Sequence, residues 1–372
     1  MAKEVVQTYR LPRQTRSAEQ HDRIPKLLFP VALAAGRLGQ DHSASRGEEL
    51  EMNTPQSEQR RALTVLCLLV LTVLILPTPA HPGDDYTIGV NVDLVVLHAT
   101  ALDHRGTLVS GLDKDNFQIY EDGTLQPIKY FSHEDIPVTV GLVIDNSGSM
   151  RPKRHDVIAA ALAFAHSSNP QDQMFVVNFN EKVSFGLPGT IQFTDQVAQL
   201  EVALSRIDAD GQTALYDAMA AALEHLKQGN RDKKVLIVIS DGGDNASRHN
   251  LAQIRAMAVQ SDAIIYTIGI FDEQDEDRNP HVLNELAKDT GGEAFFPESL
   301  KDLAPVCERI AHDIRNQYTL AYVPANRKRD GTYRAIQVKA SGQGRGRLLV
   351  RTRTGYLAPP ALPSPAAKAN RP

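Results

Sequence analysis

Five oxygen-bearing side chains in three segments have the types a hard divalent cation needs. The first segment is Asp145-Asn146-Ser147-Gly148-Ser149, with one carboxylate and two hydroxyls. The second, Gly211-Gln212-Thr213, adds a hydroxyl. The third, Ser240-Asp241-Gly242-Gly243, adds a second carboxylate. Magnesium and calcium both take oxygen ligands of this kind. Read separately, each segment has a plainer use. Asp145 and Ser147 could cap a following helix, Thr213 could be an N-cap, and Asp241 could open an Asp-Gly turn.

The elements that carry these residues speak for a shared site. Thr139 to Ile144 runs into Asp145, and Val235 to Ile239 runs into Ser240-Asp241. Neither run alternates with polar residues, so both read as strands buried on two faces, as in a parallel sheet. In open α/β sheets ligands sit beyond the carboxyl ends of such strands. Thr213 opens a helical pattern to Leu226, with an apolar stripe through Leu215, Met219, Leu223 and Leu226. Further strands are expected at Met174–Phe179, Lys182–Phe185, Ala263–Ile270 and Glu293–Phe296. Helices are expected at Asp156–Ala165, Asp195–Ile207 (apolar at Val197, Leu200, Val202 and Leu204), Leu251–Val259, Val282–Lys288 and Leu300–Ile314. Gly291-Gly292 is the stop signal of the Val282 helix. Alternating strands and helices imply a doubly wound, mostly parallel α/β sheet.

Asp-x-Ser-x-Ser at 145–149, followed by Thr213 and then Asp241, resembles the metal-ion-dependent adhesion site of the von Willebrand factor A domain. The resemblance covers about Pro137 to Arg315. It implies a Rossmann-like fold. Ser147 and Ser149 are then direct ligands, and Asp145, Thr213 and Asp241 bind directly or through water. Few direct carboxylates leave the cation short of negative charge, so an open position attracts a carboxylate, Asp or Glu, of a partner protein. Mg2+ suits such a site, with Mn2+ or Ca2+ as substitutes.

The flanks of this region have β texture. Val90, Val92, Leu94 and Val96 are expected to face inward from one strand. Phe117–Gly123 runs into an Asp-Gly turn, and Pro127–Phe131 returns. After the α/β region come Tyr318–Val323, Tyr333–Ala340 and Arg347–Thr352, with a hairpin turn at Asp330-Gly331. These strands are expected to form one smaller sandwich-like all-β domain into which the α/β domain is inserted. Gly111–Phe117, Glu121-Asp122-Gly123 and Thr354-Gly355-Tyr356 resemble segments of bacterial exported proteins of the Acidobacteria type. The expected organisation is a disordered or unused upstream stretch over 1–51 and a signal peptide or anchor over 52–80. The first β part covers 81–135, the A domain 136–315, the second β part 316–357, and a Pro/Ala-rich tail 358–372.

The leader has Arg60-Arg61, an apolar run from Ala62 to Leu76, and small residues up to Ala80. It implies export to the periplasm, the envelope or the medium, with membrane contact only through an uncleaved leader. Cys67 fills the apolar run, which leaves Cys307 without a disulfide partner. A net charge of -5 with no basic face excludes nucleic acid. The histidines show no zinc spacing, and Asp272–Asp277 lacks the glycine and terminal glutamate of an EF-hand loop. Asp244, Asn245 and Ser247, just past Asp241, could help shape the rim of the site, with a solvated loop as the plainer reading. The expected function is a non-enzymatic, metal-dependent protein-binding module. One alternative is a scaffold with a vestigial metal site that binds through its β domain. Another is a phosphotransferase of the haloacid dehalogenase type, but that chemistry needs an acid where Ser147 stands.

Overall fold

The computed structural model describes residues 94–206, 208–271, 278–342 and 346–361. The expectations for 1–80, for the strand start at Val90 and Val92, for the run Asp272–Asp277 and for the tail from 362 lie outside the described residues. In chain order the elements are β1 (Val95–Leu102), β2 (Phe117–Glu121), β3 (Thr124–Gln126), β4 (Ile128–Ser132), β5 (Val138–Asp145), α1 (Arg154–Ser167), β6 (Gln173–Phe179), β7 (Val183–Phe185), α2 (Val197–Leu204), α3 (Leu215–Leu226), β8 (Lys233–Ser240), α4 (Leu251–Gln260), β9 (Ile264–Gly269), α5 (Pro280–Thr290), β10 (Ala294–Phe295), α6 (Leu303–Arg315), β11 (Tyr318–Tyr322), β12 (Tyr333–Gly342), β13 (Gly346–Arg351) and β14 (Gly355–Leu357).

Strands β5 to β10 form one sheet in the order β10-β9-β8-β5-β6-β7, parallel except for β7. Every residue of β5 and β8 is buried, as two covered faces require. The helices fall into two packing groups, α3-α4-α5 and α1-α2-α6, the arrangement of a doubly wound sheet. Helix α4 starts in a capping box between Asn250 and Gln253. Helix α5 starts at Pro280 and ends at Gly291, whose φ of 84° suits glycine. From β5 the chain moves outward to β6 and β7, then returns to β8 on the other side of β5. The order of the strands therefore reverses between β5 and β8, which places the crevice at their carboxyl ends.

The remaining strands form an antiparallel sheet in the order β3-β2-β12-β13-β1-β11-β4, with β14 also on β12. Strands before and after the α/β region are thus interleaved, as expected. The expected sandwich, however, is a single curled sheet. β3 and β4 stand at opposite ends of the hydrogen-bonded order, yet only Pro127 separates them in sequence. The sheet must therefore bend round until its edges nearly meet. Pro127 has no N–H to continue a ladder, so the chain turns its corner there. Gln126 bridges the seam by accepting the Ala325 N–H at 3.0 Å. Leu97, Ile119, Tyr318, Leu320 and Tyr322 fill the interior.

Several local expectations change. In β1 the inward residues are Val95, Leu97, Ala99 and Ala101, one place out of the expected set. The opposite face of this strand is covered too, since Thr100 and Leu102 are buried and Gln317 donates both to Thr100 and to Tyr266 on β9, so alternation misleads. The return after Asp122-Gly123 is β3, while Ile128 onward pairs with β11. β11 pairs with β1 and β4, so Asp330-Gly331 turns the chain without making a hairpin. Val202 is exposed, and α2 buries Leu200, Ala203 and Leu204 instead.

Candidate metal centre

Asp145 ends β5, and Ser240 ends β8 next to it. The Asp145 carboxylate accepts the Ser147 N–H at 2.8 Å on one oxygen and the Ser240 hydroxyl at 2.6 Å on the other. Asp145 therefore shapes its own turn, while Ser147 makes no capping hydrogen bond to the helical turn that follows. Met150 is buried in the core behind that turn and pins it. Asn146, buried beneath, donates to the Ile144 carbonyl and to Asn178 on β6.

The Asp241 carboxylate and the loop that carries Thr213 adjoin this turn. The Ser149 hydroxyl lies 3.1 Å from the Ser147 hydroxyl and donates to Asp241 at 2.7 Å. Asp241 also accepts the Gly243 N–H at 3.0 Å, so its Asp-Gly turn is real and serves to aim the carboxylate. Thr213 is buried in the loop before α3, and the helix begins at Leu215 with Ala214 as its N-cap. Thr213 is thus a loop residue, two places before the helix that was expected to open with it, and it is not that helix's N-cap. The Gly148 N–H donates to the Gly211 carbonyl at 3.0 Å and ties the Thr213 loop to the first turn. Asn245 accepts the Thr213 N–H at 2.9 Å and ties it to the segment after Asp241.

Four of the five predicted residues, Asp145, Ser147, Thr213 and Asp241, are buried, and Ser149 is half-buried at the opening. The Asp145 carboxyl is pushed up from its ordinary 3.8 to about 7, first by burial and then by the Asp241 carboxylate. Two buried acids that repel one another invite a positive charge between them. Neighbouring ligands of a magnesium ion with bonds of about 2.1 Å stand about 3 Å apart. The hydroxyl and carboxylate spacings of 3.1 Å and 2.7 Å match that edge. The donor set and its spacing fit a small divalent cation.

Sequence reasoning missed Ser240 and Asn146, which orient Asp145 and its turn. Their signal is their place, since each is a small polar residue beside an aspartate at a buried strand end. Asp244, Asn245 and Ser247 lie in a loop past Asp241, as expected, and their side chains accept the N–H groups of Tyr216, Thr213 and Asp217. Among the described residues no group of three or more His, Cys, Asp or Glu gathers at metal-binding distance. The candidate centre differs from such clusters in being rich in hydroxyls.

Residues 140–243 match the family model for the von Willebrand factor type A domain. The chain is 24% identical over 167 residues to the uncharacterized protein sll0103 of Synechocystis sp., covering 44% of this chain and 38% of that protein. It therefore spans well under two thirds of that relative's length. Among solved structures it is similar to a von Willebrand factor type A protein from Catenulispora acidiphila, at 16% identity and a TM-score of 0.44, covering 71% of this chain and 74% of that one. It is also similar to the vWF domain of the type V pili tip protein Mfa5 from Porphyromonas gingivalis, at 15% identity and a TM-score of 0.41, covering 48% and 95%.

Proposed function

We propose, from the premise of a von Willebrand factor type A domain at residues 140–243, that the chain is a divalent-metal-dependent protein-binding module of the bacterial cell envelope. The family's common work is protein–protein interaction or adhesion. The observation that carries the finer reading is the meeting of Asp145, Ser147, Ser149 and Asp241 in one linked set at the switch point of the sheet. Ser147, Ser149, Asp145, Thr213 and Asp241 would hold the cation, Mg2+ in first place. When bound, it supplies a positive centre for a carboxylate offered by a partner protein. Asp145 and Asp241 set the charge of the site, and the half-buried Ser149 marks the side from which a partner approaches. Ser240 keeps Asp145 turned inward.

The reading as a binding module rather than a phosphotransferase rests on Ser147, which stands where that chemistry needs a general acid. The envelope location rests on the leader expected over 52–80. Among the described residues no helix is long and apolar enough to cross a membrane.

Calorimetric titration of Mg2+ into the full-length chain and its Asp145→Ala form tests the proposal. One-site binding that is lost in the variant is the expected result. Equal binding by both proteins, or by neither, sinks the reading.

A further inference from the structure

Thr213 precedes α3, so helix geometry does not place it. What does is the segment that follows Asp241. The Thr213 N–H donates to the Asn245 side-chain oxygen at 2.9 Å, and its carbonyl accepts the N–H groups of Asn245 and Ala246, each at 3.0 Å. The grip continues into the helix. Asp244 accepts the Tyr216 N–H at 2.9 Å, and Ser247 accepts the Asp217 N–H at 3.0 Å while donating to Asp244 at 2.6 Å. Asp217 answers by accepting the N–H groups of Arg248 and His249. The opening N–H groups of α3, left without helical partners, are thus met by side chains from another segment.

That segment is itself in fixed register with Asp241. Gly242 has a φ of 80°, and a Cβ there would stand 2.5 Å from the Asn279 carbonyl oxygen. Only glycine fits, and the Asp241 carboxylate closes the turn on the Gly243 N–H. Thr213 and Asp241 are therefore mounted on one hydrogen-bonded piece, although 28 residues separate them in sequence.

We propose that residues 244–247, Asn245 foremost, position Thr213 against Asp241 and make the centre selective for a small octahedral cation. This rests on the metal reading above. Magnesium demands near-octahedral ligands at about 2.0–2.1 Å, whereas calcium accepts more ligands at about 2.3–2.6 Å in looser geometry. A centre whose Thr213 is held in register favours the first, and loosening Thr213 penalises magnesium more than calcium. Asn245 is a positioning residue in this scheme.

The test is the ratio of Mg2+ to Ca2+ affinity in the full-length chain, in Asn245→Ala and in Asn245→Asp. Asn245→Ala removes the acceptor for the Thr213 N–H and should reduce the ratio about tenfold, the lower end for residues that support metal ligands. Asn245→Asp keeps an oxygen in that place and should restore the ratio, even where its added charge tightens both cations. A plain helix cap would alter stability and leave the ratio alone. An unchanged ratio in Asn245→Ala overturns the proposal while the metal site stands. Failure of the unmodified chain to bind either cation overturns the metal reading and this proposal together. A second measurement does not depend on the variants. In the metal-free chain the Thr213 amide should be protected from hydrogen exchange, and exchange at an open-loop rate would overturn the grip directly.

Discussion

Asp145 is a buried acid whose carboxyl holds its proton to about pH 7 in the folded chain, against an ordinary 3.8. Between those values the folded chain keeps a proton that the unfolded chain has lost. Stability of the metal-free protein therefore falls as pH rises through that window, by at most about 1.4 kcal/mol per pH unit. Asp172 is also raised, to about 6, chiefly by burial, and adds a slope of the same sign. Comparing urea unfolding of the natural chain with Asp145→Asn isolates the Asp145 share. Parallel pH profiles in the two proteins would disprove it. Saturating Mg2+ should abolish the Asp145 share of this slope, because a cation displaces the proton from the carboxylate, and leave the Asp172 share in place. Asp241→Asn should lower the Asp145 midpoint only in part, since burial is the larger cause and persists. An NMR titration of the Asp145 carboxyl carbon reads this, and a full return to the ordinary value would mean that charge repulsion dominates.

The helices that frame the crevice depend on their ends. Asn250 accepts the Gln253 N–H at 3.0 Å, and Gln253 accepts the Asn250 N–H in return. Asn250→Ala should cost about 1 kcal/mol of stability. Gly291 ends α5 in the left-handed region, and a Cβ there would lie 2.5 Å from the Thr352 carbonyl carbon. Gly291→Ala should therefore cost more than Asn250→Ala, because it adds a backbone clash to conformational strain. Thermal unfolding of the two variants gives the order, and the reverse order would show that the connector before β14 yields easily. Neither change touches a predicted metal donor, so Mg2+ affinity below the melting range should be unaltered.

The curled sheet and the α/β sheet are joined by charge as well as by chain. Arg351 on β13 pairs with Asp313 on α6 at 2.5 Å and with Glu293 just before β10. Asp313 is buried and also accepts the Tyr266 hydroxyl at 2.8 Å. Arg353 reaches Asp262 and the Val96 carbonyl across the same junction. Arg351→Met leaves the Asp313 charge buried without its partner and should cost about 3–5 kcal/mol. Arg309→Met removes a half-exposed pairing to Glu293 and should cost under about 1 kcal/mol. Chemical denaturation separates the two, and similar losses would argue that packing, not this ion pair, ties the sheets together.

The sequence by itself determined the order of the five candidate ligands, the two buried strands that run into aspartate and the helices between them. These are local properties. An unbroken apolar run specifies a strand covered on both faces, and Asn, Pro and Gly at helix ends act within a turn or two. Tertiary structure alone decided what those patterns leave open. Val95 faces inward where Leu94 and Val96 were expected to, because β1 is covered on both faces and alternation no longer marks the interior. The β segments curl into one sheet because Pro127 forces β3 and β4 apart in pairing while keeping them neighbours in sequence. Asn245 reads as a loop residue until α3 is placed beside it. Its partner Thr213 lies 32 residues away, a separation that no periodic pattern encodes.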